Sequence, residues 1–141
     1  MQTKMLIGGE LVAGDGAATP VLDPATGKEV ASVNEASPAQ IEAACAAAGE
    51  AFESFGQTTP AERSAMLLAI ADAIEAHNDE LAELESLDCG KPFAAARDDE
   101  MPLTIDTFRF MAGAARTQGG SAAGEYVKGP VSYTHLTLPT S

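Results

Sequence analysis

Two short phrases in the middle of this chain constrain its fold more than anything else in the sequence. Ser37-Pro38-Ala39-Gln40 and Thr59-Pro60-Ala61-Glu62 each offer a hydroxyl N-cap, a proline at the first helical position and an amide or carboxylate at the third. The hydroxyl can accept from the third residue's N–H while that residue's side chain reaches back, so each phrase is a capping box that starts a helix. Behind the first, Ile41, Cys45, Ala48, Phe52 and Phe55 recur at helical intervals and predict one apolar stripe, Cys45 included, that packs into a core and ends at Gly56. Behind the second, Met66, Leu67, Ile70, Ala73 and Ile74 predict another. Asn78-Asp79-Glu80 reads as the cap of a third helix, with acids at the positive end of its dipole. That helix carries Leu81, Leu84 and Leu87 and stops at Cys89-Gly90-Lys91-Pro92, where glycine can turn left-handed and proline cannot continue. A fourth pattern runs from Ala94 to Arg116 with Ile105, Phe108, Ala112 and Ala115 on one face, and Pro102 must kink or restart it.

Ahead of the helices the chain is β-prone and rich in turn residues. Met5-Leu6-Ile7, Gly8-Gly9 and Glu10-Leu11-Val12 predict a hairpin on a primed two-residue turn. A second pair of strands is expected over Thr19 to Leu22 and Glu29 to Val33, reversed by Asp23-Pro24-Ala25-Thr26-Gly27-Lys28. The fold class expected is therefore short strands and hairpins followed by about four helices.

Charge narrows the partners. Asp plus Glu number 21 against 8 Lys plus Arg, a net charge of −13, which removes the counterion release that drives binding to DNA or RNA and opposes anionic membranes. Between Glu42 and Glu100 there are fourteen acids and three bases, the pattern of a solvated outer face on amphipathic helices. No apolar run reaches about eighteen residues, and Gly8 interrupts the start before a secretory segment could form, so the expectation is a cytoplasmic protein without nucleic-acid or membrane partners. The two cysteines, Cys45 and Cys89, and two histidines, His77 and His135, supply no disulfide framework and no metal spacing. Cys89 ends a helix, where the dipole disfavours a thiolate, and reads as structural; His77 reads as a surface residue. Gly14-Asp15-Gly16 and the Gly119 to Gly124 run match no phosphate loop and read as turns. No nucleophile and base pair, carboxylate dyad or cofactor loop is legible.

The last segment departs from the rest. Val131 to Ser141 contains no Asp, Glu, Lys, Arg, Ala or Gly. Val131 to Thr140 resembles ten consecutive codons in one frame of a transposon mosaic-end sequencing adapter, with the join inside Pro130. Residues 130–141 are accordingly expected to be a non-native tail, poorly ordered and without function, leaving 1–129 as the native portion.

The order of the remaining motifs resembles the start of the aldehyde dehydrogenase superfamily. Leu22-Asp23-Pro24-Ala25-Thr26-Gly27, then Pro60-Ala61-Glu62-Arg63, then Cys89-Gly90-Lys91-Pro92 stand where that family has Asn-Pro-Ala-Thr-Gly, Pro-x-x-Arg and Thr-Gly-Lys-Pro, and Phe108-Arg109-Phe110-Met111-Ala112-Gly113 continues the series. Asp23 and Cys89 are departures from the pattern. Leu6 to Val12, Phe55 to Pro60 and Asn78 to Tyr126 look closest to 4-aminobutyraldehyde dehydrogenases, with betaine aldehyde dehydrogenases next.

The resemblance implies an α/β parent enzyme with a Rossmann-type sheet, of which this chain is the amino-terminal part of the NAD(P)-binding domain without the sheet. It implies oxidation of a small aldehyde to a carboxylic acid with NAD or NADP, through a cysteine nucleophile and a glutamate-activated water, in a homo-oligomer. The family's nucleophile, base, oxyanion asparagine and dinucleotide loop all fall beyond Pro130, so no catalytic or cofactor-binding residue carries over and the chain alone is expected to be inactive. One feature does carry over in part: a monovalent-cation site whose contributors correspond to Val21, Leu22 and Asp88, oxygen donors suited to a hard cation. The reading of a different class is a self-contained acidic helical bundle acting as an interaction module.

Overall fold

The computed structural model describes residues 1–117, 123–125 and 131–133. The chain divides into two units, Met1–Gln57 with Asp79–Asp98, and Thr58–Asn78 with Asp99–Ser141.

In the first unit, β1 (Met5–Ile7) and β2 (Glu10–Val12) pair antiparallel, Met5 opposite Val12 and Ile7 opposite Glu10. Gly8 and Gly9 take φ of 58° and 87°, the two positive values that a primed turn needs and that glycine supplies without a Cβ penalty. β3 (Ala18–Leu22) and β4 (Glu29–Asn34) form a second antiparallel pair with an irregularity between Val21 and Leu22. Helix α1 (Pro38–Phe55) begins with the expected box: Gln40 N donates to Ser37 Oγ at 3.3 Å and Ser37 N donates to Gln40 Oε1 at 3.0 Å. The same Gln40 amide also accepts from Asp15 N and donates to Ala13 O, tying the helix start to the strands. In sequence α2 (Pro60–Ala76) comes next, and helix α3 (Asn78–Cys89) follows it after the single residue His77, so Asn78 is helical rather than a cap, and His77 closes α2. A short helix α4 (Phe93–Ala95) leads into a π-turn over Ala96–Glu100.

The stripe of α1 is not in a core. Ile41, Phe52 and Phe55 are 55%, 67% and 49% exposed, and Cys45 is exposed as well. The half-buried positions are Gln40, Ala44 and Ala47, and Ala47 lies beneath the β1–β2 turn, where a Cβ on Gly8 would sit 3.8 Å from its own. Small residues let the helix approach the hairpin closely, and the large apolar side chains are left pointing elsewhere.

In the second unit, Thr59 and Glu62 form the second box, at the start of α2, and the Arg63 guanidinium donates to Thr58 O. Helix α2 packs on α5 (Met101–Thr117). From α5 the expected face is used, with Ile105 and Ala112 buried and Phe108 and Ala115 half-buried. From α2 the buried positions are Ser64 and Ala71 with Leu67 and Ile74 half-buried, whereas Met66 and Ile70 remain exposed. Arg109 clamps the pair from outside, 2.7 Å from Glu75 and 3.3 Å from Asp72. The fourth helical pattern is thus split: the π-turn ends at Glu100 and α5 restarts with Pro102 in its first turn, where a missing N–H costs nothing. Leu103, Phe110 and Met111 form a second, exposed apolar face on α5. Among the described residues no large side chain is fully buried; the buried apolar residues are Ala82 and Ala96 in the first unit and Ala71, Ile105 and Ala112 in the second.

The segment expected to be without order contains a strand. β5 (Ala123–Glu125) pairs antiparallel with β6 (Val131–Tyr133), as β-branched and aromatic residues favour. Thr134 to Ser141, Pro130 and the Gly119 to Ala122 part of the glycine run lie outside the described residues. Among the described residues no helix is long and apolar enough to cross a membrane.

Candidate functional site

The two family-like motifs of the first unit meet. The β3–β4 connection is knotted by Asp23: its Oδ1 accepts from Ala25 N at 2.8 Å, its Oδ2 accepts from Thr26 Oγ1 at 2.7 Å, and its backbone carbonyl accepts from Gly27 N at 2.7 Å. The Thr26 hydroxyl, then the Ala25 amide, hold the Asp23 carboxyl below the usual aspartate range. An aspartate here makes the local ring that an asparagine would make, so the departure from the family pattern leaves the turn chemistry intact.

The other side is the end of α3. Gly90 has φ of 68° and its N–H donates to Ser86 O at 2.9 Å, the left-handed helix stop expected from the sequence. A Cβ at Gly90 would stand 3.2 Å from Pro24 Cγ and 3.3 Å from Ala25 N, so glycine is required both by φ and by the approach of the Asp23 loop. Ser86 Oγ donates to Lys91 O at 2.6 Å and Lys91 Nζ reaches Glu85 at 2.7 Å. Between the two sides is an open cleft of about 330 Å³ lined by Asp23, Ala25, Glu83, Ser86, Gly90, Lys91 and neighbours.

The surroundings of Cys89 oppose its ionisation. Its Sγ donates to Glu85 Oε1 at 3.5 Å; desolvation first, then the Glu85 carboxylate, push the thiol up. Lys91, followed by Cys89, pulls Glu85 down, so the neighbouring group that stays charged is the one that opposes a thiolate. Cys89 is exposed rather than structural.

Val21 and Leu22 lie at the β3 irregularity, paired opposite Ala31 and Glu29, and lead directly into Asp23. Asp88 is exposed on the last turn of α3, two residues before Gly90. The contact that relates the two segments is that of Gly90 with Pro24 and Ala25. Among the described residues no group of three or more His, Cys, Asp or Glu is placed to hold a metal ion. Gly14 and Gly16 are not placed as a dinucleotide loop. A Cβ on Gly14 would lie 2.3 Å from Asn34 O and one on Gly16 2.8 Å from Glu35 O, and Gly16 N donates to Glu35 O. These glycines serve backbone packing, and among the described residues no glycine turn joins a strand to a helix N-terminus as a pyrophosphate needs.

The comparisons with known proteins agree with the ordered motifs. The family model described as the aldehyde dehydrogenase family matches residues 11–137, and the chain belongs to that family. A mitochondrial aldehyde dehydrogenase from Leishmania tarentolae is 40% identical over 122 residues, covering 86% of this chain and 24% of the relative. A betaine aldehyde dehydrogenase from Cereibacter sphaeroides is 43% identical over 100 residues, covering 71% and 21%. A solved NAD+ complex of aldehyde dehydrogenase from Bacillus cereus superposes with a TM-score of 0.76 at 40% identity, covering 86% of this chain and 26% of that one. The chain spans about a fifth to a quarter of the length of the relatives it matches. The match extends past Val131, into the segment whose composition sets it apart.

Proposed function

We propose that this chain is the amino-terminal part of an NAD(P)-dependent aldehyde dehydrogenase that oxidises a small aldehyde to its carboxylic acid, acting as a cytoplasmic homo-oligomer. The observation that carries the reading is the meeting of the Asp23 loop and the Gly90 turn, two family motifs about sixty-five residues apart in sequence that the fold closes onto one cleft. By the family resemblance the nucleophile, the base and the dinucleotide loop fall beyond Pro130, and the chemistry falls there with them. Val21, Leu22 and Asp88 contribute backbone and carboxylate oxygens to a monovalent-cation site that needs at least one further donor. The composition of residues 130–141 supports an adapter-derived tail, whose β-prone letters suffice for a short pairing with β5.

For substrate we favour 4-aminobutanal, on the likeness of Leu6 to Val12 and Asn78 to Tyr126 to enzymes of that class. Betaine aldehyde is the second reading, favoured by the Cereibacter relative. Both are aldehydes bearing a cationic nitrogen. The test is to express the reading frame that runs on from the Gly129 codon and follow nicotinamide reduction with 4-aminobutanal, betaine aldehyde and benzaldehyde, with and without potassium. Turnover on the cationic aldehydes is expected; a pure full-length protein that reduces neither NAD+ nor NADP+ with any of them overturns the reading.

A further inference from the structure

The cleft at the end of α3 has a lining of mixed chemistry. Glu83, Ser86 and Leu87 are three and four positions apart on α3 and so share one face of the helix, which leads to Gly90. Asp23 and Ala25 contribute the other side, and Lys91 and Phe93 join from beyond the turn. Its volume of about 330 Å³ falls at the small end of the roughly 300–1,000 Å³ typical of small-molecule sites. The charges do not balance: Lys91 is already matched by Glu85 at 2.7 Å, so Asp23 and Glu83 leave the cleft negative within a chain of net charge −13. These two carboxylates are not equivalent. Both Asp23 oxygens are taken by the loop, by Ala25 N and Thr26 Oγ1, whereas the exposed Glu83 carboxylate makes no hydrogen bond or ion pair among the described residues.

Three kinds of occupant are physically distinct. An anion meets two carboxylates and a lysine that is already paired. A bare metal ion needs several oxygen ligands, and among the described residues no group of three or more His, Cys, Asp or Glu is placed to hold one. An organic cation finds both things it requires. Ser86 Oγ gives its proton to Lys91 O at 2.6 Å, which leaves the hydroxyl free to accept, so Glu83 and Ser86 offer acceptors one turn apart. Leu87, 38% exposed, together with Ala25 and Phe93, offers apolar surface. The Arg97 guanidinium already stands 5.3 Å from the centre of the Phe93 ring, so a second cation is better placed at Glu83 than at the ring. We propose that this cleft binds a primary ammonium on a short alkyl chain, the ammonium donating to the Glu83 carboxylate and the Ser86 hydroxyl while the chain lies on Leu87, Ala25 and Phe93. The inference goes beyond the functional reading and does not rest on it.

The test titrates the intact chain with n-butylammonium chloride, at an ionic strength held constant with sodium chloride, and follows the backbone amide signals. Saturable shifts are expected at Ala25, Ser86 and Leu87, with a Kd on the order of 1–10 mM for so small a ligand. Butylammonium should bind about tenfold more tightly than methylammonium, because three further methylenes are partly removed from water. Glu83→Gln should weaken binding by about fivefold, the upper range for an exposed ion pair. Glu42→Gln makes the same change in net charge on α1 and should leave the affinity as it is. Leu87→Ala should erase most of the preference for the longer chain while methylammonium binds as before. The proposal is overturned by an absence of saturable shifts at about 50 mM amine, by an affinity indifferent to Glu83→Gln, or by equal affinities for methylammonium and butylammonium. Butanoate or 4-aminobutanoate binding more tightly than the amine assigns the cleft to the Lys91 ammonium, and displacement of the amine by an equal concentration of potassium assigns it to an inorganic cation; either result also overturns it. Failure of the amine to bind leaves the reading of the chain as part of an aldehyde dehydrogenase intact, and a longer protein without aldehyde oxidation leaves the cleft assignment intact.

Discussion

Replacing Gly90 with alanine tests whether the turn after α3 is held by geometry or is merely permissive. An L-residue at φ of 68° costs about 1–2 kcal/mol relative to glycine, and the added methyl would sit 3.2 Å from Pro24 Cγ and 3.3 Å from Ala25 N, so the Asp23 loop must also shift by a few tenths of an ångström. Part of this is offset because alanine restricts the unfolded chain, by roughly 0.4–1 kcal/mol. The expected net loss of about 1–2 kcal/mol is a factor of roughly 5–30 in the closed-to-open ratio of the turn. Hydrogen exchange reads that ratio locally and needs no global transition: the amide of residue 90, which donates to Ser86 O, loses protection by that factor, and Ala25 N, bound to Asp23, loses some too. Gly49→Ala is the control. It lies within α1 with no atom within 4 Å of the new methyl, so helix propensity alone should stabilise by about 0.5–1 kcal/mol. Unchanged protection at residue 90 in the Gly90→Ala chain refutes the argument that the loop and the helix end are fitted to each other.

Four further outcomes are expected. Thr59→Ala, at a residue 3% exposed that accepts from Glu62 N, costs about 1 kcal/mol and frays the first turn of α2 in amide exchange. The folded Asp23 carboxyl titrates below its unfolded value, so its contribution to the loop is present above the ordinary aspartate range and is lost as pH falls through the lower folded value; the Ala25 and Thr26 amide shifts should follow that titration, and Asp23→Asn should flatten it. Glu85→Gln, in a Cys45→Ser background, lowers the Cys89 pKa and speeds its alkylation at neutral pH by roughly two- to tenfold, whereas an unchanged rate contradicts the assigned cause. The purified chain reduces neither NAD+ nor NADP+ with any aldehyde, and Cys45→Ser with Cys89→Ser leaves that result as it is; thiol-dependent turnover would contradict the reading of both cysteines.

What was legible in the sequence was local. Ser37, Gln40, Thr59 and Glu62 cap their helices because each box closes within four residues, and Gly8, Gly9, Gly27 and Gly90 take positive φ where turn chemistry asks for it. The face of α5 was legible because its partner α2 is present. The fate of the α1 stripe was not: periodicity tells which residues share a face, and says nothing about whether an opposing surface exists, so Cys45 and Phe52 were expected in a core and are exposed. On α2, Ser64 and Ala71 are buried in place of Met66 and Ile70 because the approach to α5 favours small side chains. The π-turn at Ala96–Glu100 left no mark beyond Pro102. At the cleft, the Asp23 ring could be foreseen from Asp-Pro-Ala-Thr-Gly, but its contact with Gly90 joins residues far apart in sequence and is visible only in the fold.

The central claim is that this chain is the leading part of a longer aldehyde dehydrogenase, and that polypeptide beyond Gly129 completes its apolar faces. Sequencing the genomic DNA across the Gly129 codon tests it most directly. The account predicts that the adapter-like codons for Val131 to Ser141 are absent there and that the frame continues into a chain a little over three times as long, by the shares of the two chains matched with the Bacillus cereus enzyme, containing a glycine-rich dinucleotide loop, a nucleophilic cysteine and a glutamate base. Genomic DNA that encodes Val131 to Ser141 as they stand, followed by a stop codon, would contradict it.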